Sequence, residues 1–167
     1  MRLKNVVLSV QDIYGNMLQG IAGIAFLVDQ QSPALSNNQI TFQPLTSGYI
    51  LLATYQGLTL FNAHPTVATV KLLGALKIVP TNCNSATLTL SYQNQEADVV
   101  CTTSFSYYFT SSLDITTLVV TSTSFHTETV VINVPTLFET VVSVEMRLVG
   151  ITLDVQGLSQ FSVDNYD

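Results

Sequence analysis

The stretch "TLTLSYQNQEADVV", Thr87–Val100, decides the fold. Leu88, Leu90 and Tyr92 alternate with Thr87, Thr89 and Ser91 up to the turn in "YQNQEA". A two-residue period of this kind sends successive side chains to opposite faces of a pleated strand. The same alternation recurs near the other end, where Val142, Val144, Met146 and Leu148 interleave with Ser143, Glu145 and Arg147. The chain holds 21 Thr and 20 Val, β-branched side chains that fit a pleated surface better than a helix turn. No segment carries a 3.6-residue apolar stripe. Strands are expected at about 3–10, 20–28, 39–43, 48–55, 58–62, 66–73, 75–79, 86–92, 97–109, 115–125, 128–134, 139–149 and 151–156. Pro33, Pro44, Pro65, Pro80 and Pro135 fall between these ranges, and Gly150 sits where the alternation slips register, as at a bulge or tight hairpin. The expected fold is all-β: one or more antiparallel β-sandwiches of immunoglobulin-like or jelly-roll topology.

"KIVPTNCNSA", Lys77–Ala86, is the candidate boundary. A split there gives one sandwich over 1–79 and a second packed against it over 80–167; the alternative is one jelly roll over 1–167, with this stretch as a loop. Neither half repeats the other in sequence. Cys83 and Cys101 lie 18 residues apart. They read either as two buried thiols, with Cys101 sharing a strand face with Val99, Thr103, Phe105 and Tyr107, or as a disulfide. A simple hairpin sets Cys101 opposite about Leu88, so a bridge requires the chain to bend back.

Composition removes several classes of function. Charged residues make up 10% of the chain, against about 25% in ordinary soluble domains. The net charge is -6, and the five basic residues, Arg2, Lys4, Lys71, Lys77 and Arg147, are scattered singly. No basic stripe exists for a phosphate backbone, so nucleic acid is not an expected partner. The longest apolar run, "GIAGIAFLV" at Gly20–Val28, is shorter than the roughly 18–20 residues of a membrane-spanning helix. "MRLKNVVLSVQD" has too short an apolar run for a signal peptide. His64 and His126 stand apart from any metal-ligand spacing, although His126 and Glu128 share one strand face. There is no nucleophile elbow, P-loop or dinucleotide fingerprint, and no Trp to build a sugar platform. No catalytic residue, cofactor, metal or small-molecule ligand is expected. In "SFSYYFTSS", Phe105, Tyr107 and Phe109 are expected to face inward, with Tyr108 outward as a candidate interface anchor.

Between the first two expected strands lies "SVQDIYGNMLQG", Ser9–Gly20. Asp12 can close an Asx turn, Gly15 can take positive φ, Leu18 can cap the end of a sandwich and Gly20 lets the returning strand pass close. These positions resemble the Asp-x-x-Gly-x-Pro-Leu-x-Gly turn of the immunoglobulin-like and prealbumin-like modules found in carboxypeptidase regulatory domains and invasin-type surface proteins. Asn16 follows the first Gly, and Met17 occupies the proline position. "TSGYILLATYQG", Thr46–Gly57, is similar to the strand that follows in such modules. The resemblance covers about residues 5–60 and implies binding or spacing elements without catalytic residues.

A charge-poor surface favours association, because charge normally keeps free monomers apart. The expectation is a non-enzymatic structural protein of a virion, a capsid, spike or turret component that assembles with itself or with other coat subunits. The Thr/Asn/Gln-rich, lysine-poor composition is also similar to that of structural proteins of viruses infecting thermophilic archaea. An extracellular filament or adhesion subunit is the alternative, followed by a carbohydrate-binding or hydrolytic sandwich. With Met1 as the start and no export signal, a virion location is expected ahead of the cell surface.

Overall fold

The computed structural model describes residues 2–150, which form thirteen β-strands and no helix. The strands pair within two sets. In the first, one sheet holds β1 (Val6–Asp12) between β3 (Gln39–Phe42) and β6 (Thr69–Leu72). The facing sheet runs β2 (Ala25–Leu27), β4 (Leu51–Tyr55), β5 (Leu58–Ala63). In the second set, β7 (Gly74–Thr81) lies between β10 (Tyr107–Ser111) and β13 (Glu139–Glu145). Its facing sheet runs β12 (Glu128–Ile132), β11 (Thr116–Thr121), β8 (Thr87–Tyr92), β9 (Gln95–Val100).

Alternation places the cores. Leu8 and Val10 of β1 meet Phe26 of β2 and Leu51 and Ala53 of β4 in the first sandwich. Leu76 and Ile78 of β7 meet Leu88 and Leu90 of β8 and Leu118 and Val120 of β11 in the second. Each fully buried Leu or Val removes enough apolar surface from water to contribute about 1.5–3 kcal/mol.

The two sandwiches share one topology. In each, the first strand lies between an antiparallel partner, β3 or β10, and a parallel one, β6 or β13. The sheets are otherwise antiparallel, as expected, and these two pairs are the parallel ones among the described strands. The facing sheets match as β2-β4-β5 and β8-β11-β12, with β9 added to the second as the far arm of a hairpin. At equivalent places Pro65-Thr66-Val67 precedes β6 and Pro135-Thr136-Leu137 precedes β13.

Other local expectations are corrected. Lys77–Thr81 belongs to the central strand β7, so pairing breaks at Leu73, ahead of the 79/80 boundary read from sequence. Pro80 lies inside β7 rather than between strands. It is accommodated because β10 pairs only with Gly74–Ile78, leaving that side of Pro80 without a strand to which an N–H must donate. The expected strand 97–109 is two strands, β9 and β10, joined by a loop that contains Thr103 and Phe105. Of 20–28 only Ala25–Leu27 is strand, with Val28 in an isolated bridge to Gln31, and the expected strand 151–156 lies outside the described residues.

Cys83 and Cys101 form a disulfide, with Cα atoms 5.8 Å apart. Leu88 faces Val99, and the chain then bends back: Ala86 N donates to Cys83 O at 2.9 Å, with Asn82 and Ser85 at positive φ. Closing this loop restricts the unfolded chain, by about 3 kcal/mol for a loop of such length. Replacing both cysteines by Ala is therefore expected to lower stability by about 3 kcal/mol in urea unfolding; an unchanged midpoint contradicts this role.

Candidate assembly surface

The turn at Asp12–Gly20 has a buried carboxylate at its centre. Asp12 accepts from Tyr14 N at 3.0 Å, Asn16 N at 2.7 Å and Asn16 Nδ2 at 2.9 Å. Gly15 and Gly20 take φ of 90° and 92°, and Leu18 is buried in the first core. The loop built this way meets the second sandwich. Tyr14 OH donates to Ser111 O at 3.1 Å, and Asn16 Nδ2 donates to Thr136 O at 2.5 Å. A Cβ at Gly74 would lie 2.5 Å from the Tyr14 hydroxyl oxygen, so only glycine leaves room for this ring.

Tyr108 belongs to the same joint. It packs on the first core, edge-on to Tyr55 at 6.2 Å, with Lys77 Nζ 5.9 Å from its ring centroid. The outward anchor expected from sequence thus meets the chain's own first sandwich. Tyr55 also packs on Phe138 at 5.0 Å and donates its hydroxyl to the Glu139 carboxylate. Tyr107 is half-buried and Phe109 buried, both against the second core.

Two strand edges are closed by amide side chains. Gln95, the first residue of β9, donates from Nε2 to Thr110 O at 2.8 Å and accepts from Thr110 N at 3.2 Å, covering β10 as a neighbouring strand would. Gln93 extends the cover by accepting from Ser112 N at 2.9 Å. The first sandwich uses the same device at the equivalent place: Gln31, after β2, donates to Gln43 O and accepts from Gln43 N, just past β3. Unpaired backbone groups at sheet edges invite pairing with other chains, and these amides satisfy them without charge.

The outer face of the four-stranded sheet is different. Cross-strand rows there read Thr129–Val119–Ser91 and Val131–Thr117, followed by Thr121–Thr89. No charged side chain interrupts these rows on β12, β11 or β8; Glu96 and Asp98 stand only on the edge strand β9. In the second sandwich β11 is interior to its sheet and the edge of β10 carries the Gln cover.

Further apolar side chains stand in solvent beside two equivalent grooves. Val67, 66% exposed, borders a groove of about 430 Å³ lined by His64, Pro65, Thr66 and Lys71. Leu137, also 66% exposed, borders one of about 470 Å³ lined by Val134, Pro135 and Val141. His64 is committed locally, its Nδ1 2.8 Å from Tyr49 O. His126 and Glu128 do not act as a pair: Glu128 accepts from Arg147 Nε at 2.8 Å, the one ion pair among the described residues. No group of three or more His, Cys, Asp or Glu among those residues could hold a metal, and no helix there is long and apolar enough to cross a membrane.

The sequence reading missed the glutamine covers and the uncharged face. The covers leave no local pattern, but outward Thr and Val at period two are the signal from which the face could have been found.

Burial, then the hydrogen bond and charge of Glu139, push the Tyr55 hydroxyl up to about 12. The unfolded value is about 10, so the folded state favours neutral Tyr55. Its contribution is complete below pH 10 and is lost as pH rises from 10 through about 12. Tyr14, Tyr49 and Tyr92 are also raised, chiefly by burial, and act in the same direction. Stability is expected to fall steeply above pH 10, and less steeply in Tyr55→Phe. Identical alkaline profiles for the two proteins would contradict the assignment.

No protein-family model and no curated protein matches this sequence. A solved structure of the Bacillus anthracis TIE protein is similar over 87% of this chain, at 13% identity and a TM-score of 0.29. The match spans 34% of that protein's chain, and at such a score it carries no argument about this one.

Proposed function

We propose that this chain is a non-enzymatic structural protein, a capsid, spike or turret component of a virion, which assembles through its β-sandwich surfaces with copies of itself or other coat subunits. The observation that carries the reading is the uncharged Thr/Val face of β12, β11 and β8. A face this wide without charge has nothing to repel a neighbour, on a molecule whose net charge of -6 would otherwise keep copies apart. Short hydroxyl and methyl side chains on a pleated sheet suit close packing against a second flat surface.

The alternative, an extracellular filament or adhesion subunit, is favoured by one observation. The Cys83–Cys101 disulfide suits an oxidising compartment. In that reading the resemblance of residues 5–60 to immunoglobulin-like and prealbumin-like surface modules describes a spacing element.

The test is sedimentation velocity across concentration, with a search for the protein in purified particles and filaments. Self-association is expected, and Thr117→Lys with Val119→Lys should abolish it while leaving the thermal transition in place. Enclosed particles containing the chain support the virion reading, and surface filaments containing it support the alternative. A monomer at every concentration, absent from both, contradicts the proposal.

A further inference from the structure

A sheet edge presents unpaired N–H and C=O groups to any passing strand, and proteins blunt such edges with charge, shortness or cover. Each of the four sheets here has two edges. Gln31 covers the end of β3, and Gln95 covers β10. Strand β6 carries the exposed Lys71, and β13 begins and ends on Glu139 and Glu145. Strand β2 is only three residues long, and β5 lies along β10, with Leu60 O accepting from Leu73 N at 3.2 Å. In the four-stranded sheet, β9 presents Glu96 and Asp98 to solvent.

The remaining edge is β12. It pairs with β11 over all five of its residues, and among the described residues no other strand lies along its outer side. Thr129 and Val131 face outward, the latter 64% exposed. The one charge on the strand, Glu128, stands at its first position and is neutralised by Arg147.

We infer that β12 pairs antiparallel with β12 of a second copy, about a two-fold axis at Val130, so that two four-stranded sheets become one. This register engages the whole strand. It sets Thr129 opposite Val131 and Glu128 opposite Ile132, so no like charges meet. About four to six backbone hydrogen bonds form across such a pair. The uncharged rows of β8, β11 and β12 then run on from one copy into the next, and the joined sheet ends on an acidic β9 at either side. A five-residue edge buries far less than the roughly 1,600 Å² of a standard interface, so the pairing acts together with packing of the doubled face. The inference rests on the self-association proposed above and names the edge through which copies join.

Cross-linking in register tests it. The chain's own cysteines are bridged to each other, so an added cysteine is its only free thiol. Thr129→Cys chains are mixed with Val131→Cys chains under mild oxidation, at the highest concentration used for sedimentation of the parent. Residues directly opposite each other have Cα atoms about 4.5–5.5 Å apart and can bridge, whereas two copies of the same residue lie on a diagonal of about 7–8 Å. The mixture is expected to form covalent dimers about tenfold faster than either variant alone, and faster than Val141→Cys on the edge strand β13, with the parent's thermal transition kept in each. A parent that self-associates while the mixture cross-links no faster than the single variants overturns the β12 pairing and leaves the uncharged-face reading standing. A parent that stays monomeric at every concentration, with no cross-link in the mixture, overturns both.

Discussion

A single residue, Leu73, separates the last strand of the first sandwich from the first strand of the second. With no linker to let the two drift, β7 must start where β6 ends, and the loop after β1 is brought against it. Ile13 N donates to Leu72 O at 2.9 Å, fixing that loop beside the junction. The Asp12 carboxylate then sets its shape, and the shape places Tyr14 over Gly74 and Asn16 at Thr136. Phe138, on the far side of the second sandwich in sequence, is buried in the first core for the same reason.

The rest of the molecule follows from having little charge to use. Charge is the usual means of blocking a sheet edge, and here Gln31, Gln93 and Gln95 do that work by presenting an N–H and a C=O where a strand would. The device needs no charge, and the part of the second sandwich's outer face on β12, β11 and β8 carries none, which suits it to packing, while Glu96 and Asp98 stand at its β9 edge. Polarity in this chain therefore closes edges inside the molecule and leaves faces open outside it.

The fold class was legible in "TLTLSYQNQEADVV" and its like, since alternation with β-branched residues leaves few other solutions. The Asp12 turn was legible too, because Asx turns and positive φ have local signatures. What was not legible depended on distant partners. Pro80 looked like a strand end because sequence does not show that β10 stops short of it. Thr103 and Phe105 looked like strand because the bend at the disulfide is set by Cys83, not by their neighbours. Tyr108 looked like an outward anchor for a partner subunit; its contact with Tyr55 lies in the chain's other sandwich and could not be named from spacing. The parallel strands β6 and β13 were hidden for the same reason: the pairing of chain ends has no local mark.

The central claim is that the joint makes the two sandwiches one mechanical unit. Scanning calorimetry tests it most directly. The account predicts a single transition whose calorimetric enthalpy equals its van't Hoff enthalpy, splitting in two when Tyr14 and Asn16 are both replaced by Ala. Two separate transitions in the unaltered protein would contradict it.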